Sequence, residues 1–438
     1  MRKKSFTAKT TPKYLIGFIM LLPIAMYYFT VYLFAENIPL ADDFSGVLGF
    51  LNSFISLEKV YDKVSLIFSQ LNEHRVAVNR LCSLAVFKIN GVIDFKILIF
   101  IGNIMLLPAI YAFYISFKKK TDKFKYFLPA VFIIAVPQFS GSMFWATSVV
   151  QNISCLAFSL LALALLKKEG VFRALMAFVF AVLSVFSSVN GLLVFPSIIV
   201  FLLITKKKKL AVWWSVGALF IFLSYLYGYT TPIHHYKYYY TGTLPAIVEF
   251  FFSFIGSPVI FNVFYMKNLL GNNAEVIIRF ISAVAGAALC LYFIFLVKKK
   301  YYKVNTVIFT MFIFFFLTAI AAAITRSGIG LQAFASRYRI IPVFMFALTY
   351  LSFVEISKEK TAGKYFRYLI VLTVLFSAFS YITNIPAIKS CRENLVIGIT
   401  SWQKDGTGLY RLHDNPASAE KQLKESIEKG IYLPKNGR

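Results

Sequence analysis

The sequence predicts an all-α, polytopic helical membrane protein, and three observations carry that prediction. The chain is 59% hydrophobic and 18% aromatic, with a mean hydropathy of +0.70. Its apolar residues come in runs of about 20, the length a helix needs to cross a hydrocarbon layer of about 30 Å. A transmembrane barrel would instead show alternating runs of about 10 residues. Thirdly, the lysines behind the formal charge of +27 sit in short clusters between apolar runs. That is the distribution of cytoplasmic loops, so the charge sets orientation and does not point to nucleic acid. The four cysteines form no framework, since Cys155 and Cys290 lie in apolar runs and Cys82 and Cys391 are far apart.

Taken in order, a basic N-terminus precedes the apolar run Tyr14 to Phe34. The run is too long for a signal-peptide core and predicts a retained span. Glu36 to Gly91 follows as the first extracytoplasmic loop, and Ile93 to Phe117 returns to Lys118-Lys119-Lys120. Tyr126 to Val136 and Val149 to Leu166 form the next pair, ending at Lys167-Lys168. Phe172 to Phe186 and Leu192 to Ile204 form another, turning at Ser187 to Gly191 and ending at Lys206 to Lys209. Ala211 to Tyr227 then leads outward to a polar, aromatic loop.

Ala246 to Phe264 is predicted to be re-entrant or interfacial. Ser257-Pro258 interrupts it, and a full crossing would leave Lys298-Lys299-Lys300 on the wrong side. Ile277 to Val297, Val304 to Ile324, Ile340 to Ile356 and Tyr368 to Thr383 complete about 11 crossings. Residues 1–385 are read as the membrane domain and 386–438 as a small extracytoplasmic tail. In the tail, Asn415-Pro416 followed by Ala417 to Lys429 and Gly430 predicts one capped helix.

The residues suited to chemistry cluster in outer loops. Asp42 and Asp43 follow the first span. Two apolar faces at helical spacing come next, Phe44 to Ile55 and Val60 to Leu71, and predict interfacial helices that hold the acidic pair at headgroup depth. A structural reading of Asp43 is a helix N-cap, with Asp42 its solvated neighbour. Asn72-Glu73-His74-Arg75, with Arg80, ends the loop. Arginine offers a bidentate fork to phosphate, although ordinary headgroup contacts or a Glu73 ion pair would also account for these residues.

Arg326 and Ser336-Arg337-Tyr338-Arg339 place cations on the outer side, against the usual bias; a lipid phosphate or pyrophosphate is their natural partner, although retention near lipid headgroups without a function would also account for them. Arg279 is a weaker candidate of the same kind. His234-His235 with Tyr236, Tyr238, Tyr239 and Tyr240 suits stacking on sugars better than metal binding. Trp145 fits a sugar platform or an aromatic belt equally, and Gln151 and Asn152 lie just beyond it. No phosphate-binding glycine loop, nucleophile elbow or zinc-binding helix motif is present.

This arrangement resembles the GT-C superfamily of polytopic glycosyltransferases, particularly those that modify bacterial O-antigen and other surface polysaccharides. The resemblance rests on the Asp42-Asp43 pair after the first span, two interfacial helices, Asn72-Glu73-His74-Arg75, the Ser187 to Gly191 turn with Pro196, and Ser336-Arg337-Tyr338. It implies a multi-pass protein of a bacterial cytoplasmic membrane, N-terminus inside, active site and C-terminus outside. It further implies inverting transfer from a polyprenyl-phosphate-linked sugar to a glycan or lipid-linked acceptor. Asp42 or Asp43 would be the base, and Arg75, Arg326, Arg337 and Arg339 would neutralise the leaving phosphate. Glu73, His74, Arg80, Trp145, His234 and His235 would help hold substrate. No nucleotide site is needed, and a divalent cation, Mg or Mn, is an option that some superfamily members use. A glycan polymerase or ligase, and a lipid-linked sugar flippase or transporter, are the rival classes.

Overall fold

The computed structural model describes residues 13–119, 121–231, 242–328 and 330–434. The described residues are nearly all helix, with one two-stranded hairpin among them. Among the described residues, eight helical segments are long and apolar enough to cross a membrane: Gly17–Phe34, Phe95–Ser116, Lys123–Met143, Ala146–Leu165, Lys208–Leu226, Val263–Lys298, Thr306–Arg326 and Glu359–Asp405. The molecule is thus a multi-pass membrane protein of the all-α class. Five shorter apolar helical segments accompany the eight.

α1 (Lys13–Phe34) leads to a π-helical stretch, Phe44–Gly49, that continues as α2 (Phe50–Ser56). α3 (Val60–Phe68), the hairpin β1 (Gln70–Leu71) and β2 (His74–Arg75), and α4 (Ala77–Asn90) complete the first loop. α3 leaves its apolar side uncovered, with Val60, Val64 and Phe68 at 75%, 47% and 41% exposure. The expectation that both loop helices lie apolar-face-down on lipid is corrected for the first of them. Phe44, Val47, Leu48 and Leu51 are buried in protein, because the C-terminal tail folds over this stretch and offers it a better apolar surface.

α5 (Phe95–Ile104) and α6 (Leu106–Ser116) are one span broken at Met105, where Pro108 removes the donor and crowds the preceding turn. α7 (Lys123–Ile134) and the short α8 (Ser140–Met143) precede α9 (Ala146–Leu165), which is buried along most of its length between α5, α6 and α10 (Val171–Val185). α11 (Val194–Ile204) and α12 (Lys208–Leu226) follow.

α13 (Leu244–Gly256) then stops at Ser257–Ile260, and Phe261 takes φ +53° before α14 (Val263–Leu270). Freed carbonyls at this break are satisfied inside the protein. Arg339 donates to Ser257 O at 2.9 Å and to Phe261 O, Gln138 donates to Pro258 O at 3.1 Å, and Asn384 donates to Phe261 O at 3.3 Å. Irregular backbone among apolar helices is tolerated only with such partners. α15 (Ala274–Lys298) runs parallel to α13. Glu249 meets Arg279, Ser253 meets Arg279 O, and Gly256 packs between Ser282 and Gly286. Since both helices run the same way, α14 carries the chain back toward the end where α13 began.

α16 (Tyr301–Val304), α17 (Thr306–Arg326) and α18 (Ile340–Ile356) lead to α19 (Glu359–Asp405), which passes Pro386 without a break. At 47 residues α19 is about 70 Å long, roughly twice the hydrocarbon thickness, so its C-terminal half stands clear of the apolar layer. α20 (Pro416–Glu428) is capped as the sequence predicts, Asn415 accepting from Ser418 N–H at 3.1 Å.

The lysine clusters meet at one end. Lys118 N–H donates to Glu355 at 2.5 Å, Asn305 bridges Ser116 O and Glu355, Lys167 donates to Ile115 O, and Lys207 pairs with Glu169 at 3.1 Å. The first loop, the α8–α9 region, the turn before α11 and the segment before α18 gather at the other end.

Candidate functional site

At that second end the two adjacent carboxylates are turned to different tasks. Asp43 is 1% exposed. Its Oδ1 accepts from Thr147 N–H at 2.7 Å and its Oδ2 from Leu40 N–H at 3.0 Å. It makes no side-chain cap on its own helix, so the N-cap expectation is corrected. Asp43 instead caps α9 from across the fold, where Trp145 supplies no side-chain cap of its own. Burial pushes its carboxyl up to about 7, and the Asp42 charge adds to this against the backbone N–H bonds. Asp42 is half-buried and accepts from Asn72 Nδ2 at 3.0 Å.

Asn72 sits at the tip of the β1–β2 hairpin with φ +50°, a left-handed conformation that asparagine adopts more readily than most residues. The next residue, Glu73, points elsewhere. Its Oε1 receives Arg326 Nη2 at 2.7 Å and lies 3.4 Å from His74 Nε2. Burial would raise the Glu73 carboxyl, but His74 and Arg326 outweigh it and hold it well below the usual carboxylate range. His74 Nδ1 accepts from Val189 N–H at 3.3 Å, which ties the hairpin to the turn before α11.

The late cations complete the cluster. Arg326 and Arg337 lie 5.1 and 4.9 Å from the ring centre of Tyr338. Arg337 and Tyr338 line a crevice with Asn152, Asn190 and Cys155. Ser142 donates to Arg337 O at 2.8 Å, and Asn152 donates to Ser142 and Ser148, fixing the polar wall. The hairpin tip therefore bridges the early acidic pair and the late arginines through two consecutive residues.

Three of the arginines expected to meet phosphate or substrate, Arg75, Arg80 and Arg339, donate to backbone carbonyls. Arg75 donates to Tyr225 O at 2.8 Å, Phe68 O at 2.7 Å and Tyr227 O, and Arg80 donates to Leu66 O and Ser69 O, each at 2.6 Å. Both cap C-terminal carbonyls, of α12 and α3 for Arg75 and of α3 for Arg80, where a cation also opposes the helix dipole. Burial, with Arg75 nearby, lowers Arg80 to about 10. Arg339 is 2% exposed and holds the break after α13. Arg279 pairs with Glu249 and Glu275. Trp145 is half-buried at the start of α9, and its indole N–H has no partner among the described residues. His234, His235 and their tyrosines lie outside the described residues.

Asn72 and Asn190, which the sequence offers only as members of the Asn72 to Arg75 motif and the Ser187 to Gly191 turn with no role of their own, both belong to the cluster. Asn72 and Glu73 are the two residues between the strands of the hairpin. Among the described residues no three His, Cys, Asp or Glu side chains converge as a metal site. With both Asp43 oxygens held by backbone N–H groups, the acidic pair presents one carboxylate, Asp42, which is a poor donor set for Mg or Mn. Comparison with protein-family models, with curated proteins and with solved structures gives no match.

Proposed function

We propose that this chain is an inverting glycosyltransferase of the GT-C type, moving a sugar from a polyprenyl-phosphate donor to a cell-surface glycan or lipid-linked acceptor. The lysine-rich end faces the cytoplasm, about 11 passes run between the two ends, and α13 with α14 forms the re-entrant segment. The observation that carries this reading is the hairpin bridge, Asp42 to Asn72 on one side and Glu73 to Arg326 on the other.

Asp42 is the base in this scheme, because it is the member of the pair with access to the surface. The acceptor hydroxyl oxygen attacks the anomeric carbon, its proton passes to Asp42, and the carbon–oxygen bond to phosphate breaks with inversion. Arg337 and Arg326 neutralise the charge growing on the departing lipid phosphate. Both guanidinium groups lie against the Tyr338 ring. Asp43 positions Asp42 by fixing the start of α9.

The test is sugar transfer from a polyprenyl-phosphate sugar by the purified protein in liposomes. Asp42→Asn should lower the rate by about 100- to 10,000-fold, as loss of a general base does. Arg337→Ala should lower it as well while leaving the fold intact. Wild-type rates in both variants would overturn the mechanism, and lipid-linked sugar crossing the bilayer with no transfer product would identify a flippase.

A further inference from the structure

The lysine-rich end holds a cavity of about 580 Å³ between the α9–α10 turn and the α11–α12 turn. Its rim carries Lys168 and Lys206–Lys209, and its floor is apolar, built from residues such as Leu166, Ala174 and Leu202. The one carboxylate on the rim, Glu169, is 84% exposed and already paired with Lys207. The pocket therefore keeps a strong positive excess.

Two further features point to what occupies it. Lys206 adopts φ +60° in the turn that ends α11, a left-handed conformation in which glycine is the usual residue and a side chain is disfavoured. The turn nonetheless presents a cation there. Secondly, the apolar floor runs on into uncovered side chains of α10, α11 and α12, with Val171, Phe172, Leu203 and Val212 at 54% to 88% exposure. A free anion has no use for such a floor, whereas an acyl chain does.

We propose that this cavity binds an anionic phospholipid, its headgroup phosphate among Lys168 and Lys206–Lys209 and its chain along the α10 to α12 surface. Basic pockets between spans on the cytoplasmic side recognise lipid headgroups through this pairing of charge and apolar contact. The site lies at the end opposite the acidic pair, so it stands independently of the glycosyltransferase reading.

The experiment is native mass spectrometry of the full chain released from nanodiscs of phosphatidylglycerol and phosphatidylcholine. Wild type should retain one phosphatidylglycerol in preference to phosphatidylcholine. The quadruple variant Lys168→Gln, Lys206→Gln, Lys208→Gln, Lys209→Gln should reduce that retention by about a hundredfold or more. Ala174→Trp, which fills the floor and leaves every lysine in place, should reduce it too. Neutralising Lys298, Lys299, Lys300 and Lys303 as a control should not. Equal retention in the control and the pocket variants, equal retention of phosphatidylcholine, or displacement by inorganic phosphate alone would overturn the proposal.

Discussion

At the scale of single residues, neighbours identical in type are separated by what surrounds them. Asp43 is enclosed and held by two N–H groups, while Asp42 meets Asn72 at the surface. Because burial raises the Asp43 carboxyl from 3.8 to about 7, this group takes up a proton on folding within that window. Its contribution to stability is greatest in acid and is lost as pH rises through about 7. Glu73 acts with the opposite sign, since a depressed carboxyl gives stability that disappears as pH falls below the usual carboxylate range. The two effects therefore occupy different parts of the pH scale. Thermal unfolding in detergent should show stability declining from about pH 5 to about pH 7, and Asp43→Asn should abolish that decline. The same variant should be less stable by about 1–3 kcal/mol in acid, because its amide NH2 faces a backbone N–H. An unchanged slope in the variant would assign the decline to another group.

At the scale of elements, close backbone approach decides how the interrupted segment sits. A Cβ on Gly286 would lie 2.0 Å from Phe252 O, and one on Gly256 would lie 1.9 Å from Ser282 O. Small residues on both faces allow α13 to lie along α15, where lipid tails provide no hydrophobic drive between helices. Gly286→Ala should force the pair apart and lower stability by about 1–3 kcal/mol or more, read as a fall in the unfolding midpoint. Gly17→Ala, with nothing within 4 Å of the added carbon, should leave the midpoint alone. An equal effect from both substitutions would refute the packing argument. Proline does not decide an element's limits by itself. Pro108 breaks the span at Met105, whereas α19 continues through Pro386, where Asn384, Thr383 and Ser380 bond neighbouring carbonyls.

At the scale of the molecule, the tail is part of the first loop's fold. Ala41 N–H donates to Leu412 O at 2.8 Å, Asn52 Nδ2 donates to Gln422 O at 3.2 Å, Ser426 donates to Asn52 at 2.9 Å, and Tyr432 donates to Asn37 O at 2.8 Å. Arg392 pairs with Glu36 beside them at 2.6 Å. Removing residues 407–438 should uncover Phe44, Leu48 and Leu51 and speed hydrogen exchange from Ala41 to Ser56, while α9 stays protected. Unchanged exchange in that stretch would show that the loop holds itself.

The sequence by itself determined the helical class, the grouping of lysines, the interruption at Ser257-Pro258 and the cap at Asn415. Each of these depends on composition or on residues within a few positions, and such local physics is written in order along the chain. Only the tertiary structure decided that Asp43 caps a helix about a hundred residues away, that Arg75, Arg80 and Arg339 satisfy carbonyls, and that Asn72 and Glu73 join the acidic pair to Arg326. The sequence shows that a guanidinium is present, but which oxygen it meets depends on where the backbone leaves carbonyls unpaired, and only packing between distant segments sets that.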